Sequence, residues 1–196
     1  MNGKSKHGLR AATAAGVAVL LLAGCGGGGS AATTPKGWGT LHTDRLSVAY
    51  PKGFKEAPVR TGNPYEVARA ALTEGGTVVG TMSVEFDFGT GMHDADTAAT
   101  GAEARIQLGA TPVKTTKIKV AVPGGSEEAR QITYTSTSRG RQGSPPKGTK
   151  LDGVMLTGVD TRERPYLITV SSKQGTLSSR DISDIVDSVA LKQFKK

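Results

Sequence analysis

Apolar and polar residues alternate with period two over much of the chain, and this predicts strands. Leu46, Val48 and Tyr50 alternate with Ser47 and Ala49 as far as Pro51, which lacks a ladder donor and ends the strand. Tyr65–Thr73 reads as a second strand, although its alanines also suit a helix. After the Gly75-Gly76 turn, Val78, Gly80, Met82, Val84, Phe86 and Phe88 fall on one face, so the two segments read as a hairpin. Val113–Val122 places Ile118, Val120 and Val122 inward and Lys117 and Lys119 outward, the pattern of an edge or an uncovered patch. A turn at residues 123–126 leads into Glu128–Ser136, with Ile132 and Tyr134 inward. Val154–Val159 and Tyr166–Ser171 form a last hairpin around Asp160–Arg164.

The period changes to that of a helix in two places. Asp94–Leu108 carries Ala95, Ala98, Ala99, Ala102 and Ile106 as a packing face, with Asp94 or Asp96 as cap, and Gly101 weakens it. Near the C-terminus, Ile182, Ile185, Val186 and Val189 make one stripe behind Ser178, whose partner Asp181 completes a capping box. Hairpins imply antiparallel pairing, and two helices must bury their stripes on the sheet. The expected class is therefore α+β, a mainly antiparallel sheet flanked by helices as an α-β-α sandwich.

The first residues follow another pattern. Met1–Arg10 is basic, and Ala11–Leu22 is an uncharged apolar run. As a helix that run is about 18 Å long, too short for ~30 Å of hydrocarbon but right for the apolar core of a signal peptide. Leu22-Ala23-Gly24-Cys25 follows. These four residues resemble the lipobox of bacterial lipoproteins, which implies diacylglycerol on the Cys25 thiol and cleavage before it. Cys25 is the sole cysteine, so no intrachain disulfide can form. Two fatty chains suffice for firm anchoring, whereas one binds reversibly. The expected division is residues 1–24 as signal peptide, 25–37 as lipidated Cys and Gly/Ser/Thr tether, and 38–196 as one domain. The expected location is the outer face of the cell membrane. Loss of Lys4, Lys6 and Arg10 with the signal lowers the net charge from +8 to +5, still suited to an anionic envelope.

The order of elements is also familiar. Tyr50-Pro51-Lys52-Gly53-Phe54 closes a short strand, Val84-Glu85-Phe86-Asp87 precedes the helix opening at Asp94, and the chain closes on Asp184-Ile185-Val186-Asp187-Ser188-Val189. With the lipobox and tether, this resembles the actinobacterial LpqN/LpqT-type lipoproteins. Their domain is similar to the PsbP subunit of photosystem II and to a nuclear-import factor that binds the GTPase Ran. The resemblance covers most of residues 38–193 and implies an antiparallel sheet between helices. It also implies binding of other macromolecules in place of a shared catalytic site, and it transfers no functional residue.

Candidate chemistry is sparse. His42 and His93 lie far apart, and no His-Glu-x-x-His, Cys pair or Gly-x-Ser-x-Gly occurs. Asp87, His93, Asp94 and Asp96 surround Gly89-Thr90-Gly91; the expected role of the carboxylates is to cap the helix, with no metal, and a divalent metal held by them and the imidazole is the alternative. Arg139, Arg141, Lys147 and Lys150 crowd one Gly/Pro-rich loop that suits anionic lipid, wall polymer or an acidic partner. That loop has no interleaved aromatics, which argues against nucleic acid. The leading expectation is a membrane-anchored, non-enzymatic binding module at the cell envelope. It needs no cofactor, and its partner is a protein, polymer or lipid. A carrier of an apolar lipid or glycolipid is the alternative, and an envelope hydrolase comes third.

Overall fold

The computed structural model describes residues 32–106, 110–141 and 143–193. Among them the chain forms β1 (Gly39–His42), β2 (Leu46–Tyr50), β3 (Lys55–Glu56), β4 (Glu66–Glu74), β5 (Thr77–Phe86), α1 (Ala95–Ala104) and β6 (Thr111–Val122). There follow β7 (Gly125–Thr137), β8 (Lys150–Val159), β9 (Pro165–Lys173), α2 (Ser179–Asp187) and β10 (Ala190–Leu191). All ten strands join one sheet in the order β1-β2-β10-β6-β7-β8-β9-β5-β4-β3. Every pairing is antiparallel except β10 on β6. β1 also approaches β4, so the sheet curls toward a barrel. The class is mixed α+β with a dominant antiparallel sheet, as the alternation predicts.

The curl encloses the larger core. Met82 and Val84 of β5, Ile168 and Val170 of β9, and Leu156 of β8 pack there against Leu46 and Val48 of β2. Ile185 and Val186 of α2, then Val189 beyond the helix, complete it. Complete burial of each such side chain stabilises by about 1.5–3 kcal/mol. α2 starts as its sequence demands, with Ser178 Oγ accepting from Asp181 N at 3.1 Å and Asp181 Oδ2 accepting from Ser178 N at 2.8 Å.

A smaller core lies on the outer face under α1. Ala98, Ala99 and Ala102 sit over Ile132, Tyr134, Met155 and Leu167, and the absence of bulk on the helix brings it close to the sheet. Asp94 is the cap, its Oδ1 accepting from Thr97 N at 2.7 Å. Gly101, awkward for a helix, leaves room for Met92: a Cβ there would lie 2.0 Å from Met92 Cε. α1 ends at Ala104 with Arg105 as its C-cap, shorter than the expected Asp94–Leu108, whose last two residues lie outside the described ones.

Three expectations about facing change. Ile132 and Tyr134 are buried, but on the outer face, opposite Ile118 and Val120. Phe88 does not share the face of Met82, Val84 and Phe86. Asp87 adopts a left-handed φ of 52°, which ends β5 and turns Phe88 into the outer core. Val78 also leaves that face, because a register shift between Leu72 and Thr73 precedes it, and it lies beside Ala71 on the outer side. Lys117 and Lys119 are exposed as expected. β6 pairs with β10 only at Ala121, so among the described residues most of its length is an open edge.

Candidate functional site

The outer face has two halves, one under α1 and one open. The open half is a groove of about 790 Å³. Its floor follows from register. Ala71, Thr81, Ser171, Gly153 and Tyr134 stand side by side across β4, β5, β9, β8 and β7. The next rung is Arg69, Ser83, Thr169, Met155 and Ile132. Period-two alternation that buries Met82, Val170 and Val154 inside therefore presents Thr81, Ser83, Thr169 and Ser171 outside. Gly153 is required in the first rung. The Tyr134 ring lies across it, and a Cβ at that position would meet Tyr134 Cζ at 2.1 Å. Burial pushes the Tyr134 hydroxyl up from its ordinary pKa, against the hydrogen bond to Ser171.

One wall is the loop between β7 and β8. Ser138 folds it: its Oγ donates to Pro145 O and accepts from Gly140 N at 3.1 Å, and its carbonyl accepts from Gly148 N at 2.9 Å. Arg69 Nη2 ties the loop to the sheet by donating to Gly143 O at 2.8 Å. Arg139, Arg141 and Lys147 are thereby carried to the groove. Lys150 is not: it opens β8 and its Nζ donates to Thr137 Oγ1 at 3.3 Å.

The opposite wall is built on two buried carboxylates. Glu85 Oε2 accepts from Arg105 Nη2 at 2.6 Å, and Oε1 accepts from Asn63 Nδ2 at 3.0 Å. Glu66 Oε2 accepts from Arg60 Nε at 2.8 Å, while Arg69 Nη1 lies 3.5 Å from its other oxygen. Arg60, Arg69 and Arg105 are thus fixed close together. Burial pulls the Arg69 guanidinium below its ordinary pKa; Glu66 opposes this and Arg60 adds to it. Among the described residues six cationic side chains and one carboxylate, Glu85, line the groove, with Glu66 behind. A second hollow of about 780 Å³ adjoins it across Arg60, Arg69, Arg105 and Arg141.

The candidate metal residues are spread apart and engaged elsewhere. Asp87 Oδ1 accepts from Arg45 Nη1 at 3.0 Å, and Asp87 Oδ2 accepts from Arg164. Burial pushes the Asp87 carboxyl up, but Arg164 and Arg45 outweigh this and hold it below the usual range. Arg45 is itself buried, with Nε donating to Asp160 Oδ2 at 2.6 Å. Asp94 caps α1, Asp96 Oδ1 accepts from Arg130 Nε at 2.8 Å, and His93 is exposed. Among the described residues no group of three or more His, Cys, Asp or Glu is placed to hold a metal ion. His42 and His93 both lie away from the groove. Leu22, Ala23, Gly24 and Cys25 lie outside the described residues.

Of the four cations expected to act together on one loop, Arg139, Arg141 and Lys147 meet at the groove and Lys150 does not. Arg60, Arg69 and Arg105, which no sequence pattern marked, reach the groove from three other segments. An arginine alternating with alanines at Ala68-Arg69-Ala70 was the available signal.

No protein-family model matches the chain, and no curated protein matches it. A solved structure from Bacteroides thetaiotaomicron is similar at 10 % identity, with a TM-score of 0.40 over 76 % of this chain and 45 % of its own. The chain therefore spans less than half of that protein, and a likeness this low carries no argument about fold or function.

Proposed function

We propose that the protein is a non-enzymatic binding module, lipid-anchored through Cys25 at the outer face of the cell membrane, with the basic groove as its contact site. The observation that carries this reading is the contrast between an inner core of buried apolar side chains and an open groove lined, among the described residues, by six cations. Guanidinium, ammonium and hydroxyl groups receive negative charge, and the Glu85 carboxylate is already held by Arg105 and Asn63.

The LpqN/LpqT-type, PsbP-like identity and the α-β-α arrangement belong to this proposal. Two features support them: the helices pack on opposite faces of an antiparallel sheet, and Tyr50-Pro51-Lys52-Gly53-Phe54 is a turn with Gly53 at φ 98° that buries Phe54. The division at residues 24, 37 and 38 is adjusted in one respect. Thr33 N donates to Asp187 O at 3.2 Å, so contact with the domain begins ahead of residue 38.

Two experiments test the proposal. Cys25→Ala is expected to abolish incorporation of labelled fatty acid, and a labelled variant would refute the anchor. A photo-crosslinking residue at Ser136 in the groove is expected to capture an envelope component in cells, while the same residue at Thr100 on α1 captures none. Equal capture at both positions would refute the groove as contact site.

A further inference from the structure

We propose that the groove takes an acidic carbohydrate, a saccharide bearing carboxylate or phosphate groups; this rests on the binding-module reading and names its ligand class. Charge is the first reason. Arg60, Arg69 and Arg105 are clustered by Glu66 and Glu85, and Arg141 and Lys147 face them from the loop. Neither Arg141 nor Lys147 pairs with a carboxylate among the described residues, so the positive charge of the groove exceeds what the chain itself neutralises. Arg69, only 6 % exposed, carries its charge in a setting that burial disfavours, and an arriving anion would offset that cost.

The floor supplies the second reason. Thr81, Ser83, Thr169 and Ser171 offer hydroxyls that donate and accept, and Met155 stands beside Thr169 in the same rung. A sugar ring presents the same mixture, hydroxyls at its rim and C–H groups on its face. Among the described residues Tyr134 is the single aromatic side chain lining the groove, which is too few for the successive stacking that a nucleic acid strand uses. The volume, about 790 Å³, lies in the range of small-molecule sites. Because the innermost cation is recessed, a flat bilayer cannot reach it, and a lipid surface fits the groove less well than a saccharide.

The test is calorimetric titration of the purified full-length chain with tetragalacturonate, glucose 6-phosphate, maltotetraose and inorganic phosphate. Tetragalacturonate and glucose 6-phosphate are expected to bind, with affinity falling as salt rises, because the rim charges are screened. Maltotetraose is expected to give no heat, and inorganic phosphate to bind at least about tenfold more weakly than glucose 6-phosphate, since it lacks the floor contacts. Arg141→Ala and Lys147→Ala, both at exposed positions, are expected to weaken tetragalacturonate about tenfold or more with thermal unfolding unchanged, while Lys117→Ala on β6 leaves binding intact. Absence of heat for both acidic saccharides would overturn the proposal. Equal binding of maltotetraose, or phosphate binding as tight as glucose 6-phosphate, would do so as well. Binding that Arg141→Ala and Lys147→Ala leave unchanged would place the ligand elsewhere and also overturn it. Crosslinking from Ser136 to a protein, with no saccharide binding, would defeat this inference and leave the binding module standing.

Discussion

The two faces of the sheet share strands, alternation and hydrogen-bond ladder, yet one is closed and the other half open. On the inner face, curvature brings β1 back toward β4 and α2 packs against the same core, so side chains such as Leu46, Met82 and Ile168 reach full burial. On the outer face α1 is the only helix among the described residues, and its ten residues span about 15 Å. It is held at one end by Arg130 with Asp96 and at the other by Arg105 with Glu85. The helix covers Ile132 and Leu167; beyond it the strands switch to Thr and Ser, and arginines stand where a second helix would. Apolar area disposed of on one face and polar area presented on the other is what a fold needs to remain stable while keeping a site.

Three substitutions break or sharpen that contrast. Leu156→Ala, in the inner core with no exposure, is expected to cost about 2–5 kcal/mol in urea-induced unfolding through lost transfer energy and a cavity. A cost below that range would mean the inner face is less tightly filled than described. Gly153→Ala on the outer face is expected to cost about 1–3 kcal/mol, because the added methyl displaces the Tyr134 ring. It should also perturb the groove, so a variant with unaltered tyrosine fluorescence and unchanged stability would show that the ring does not lie on Gly153.

The smallest effect concerns Asp87 and pH. Its folded pKa lies below the unfolded value, so its contribution is present above the unfolded pKa of about 3.9 and is lost as pH falls through the folded value. With the carboxyl side chain 42 % exposed, the contribution at neutral pH is about 1 kcal/mol or less. Asp87→Asn is expected to lower stability at pH 7 by that amount and to flatten the acid limb of stability against pH. An unchanged acid limb would show that Arg45 and Arg164 do not act on this carboxylate.

Much of the architecture was legible from local pattern. Both hairpins, the long strands and the caps at Asp94 and Ser178 depend on neighbours within a few residues, and the structure has them where alternation and capping chemistry require. β1, β3 and β10 were not legible, because segments of two to four residues carry too few alternations to register. Asp87 shows a subtler limit. Its acidic neighbourhood suggested a helix-capping loop, with a metal site as the alternative, but Arg45 and Arg164, distant in sequence, commit it to ion pairs. Arg60, Arg69 and Arg105 were invisible for the same reason, since no local text distinguishes a groove arginine from a solvated one.

The sequence by itself determined the alternation that makes a two-faced sheet, the starts of both helices and the collection of three cations on one loop. These are consequences of a side-chain period and of hydrogen bonds between near neighbours, so they need no knowledge of the rest of the chain. Tertiary structure alone decided which face each apolar residue fills, where α1 stops covering the sheet, and that six cations from four segments meet over a hydroxyl floor. Those outcomes depend on curvature, register shifts and one left-handed residue, which act over distances that no local pattern encodes.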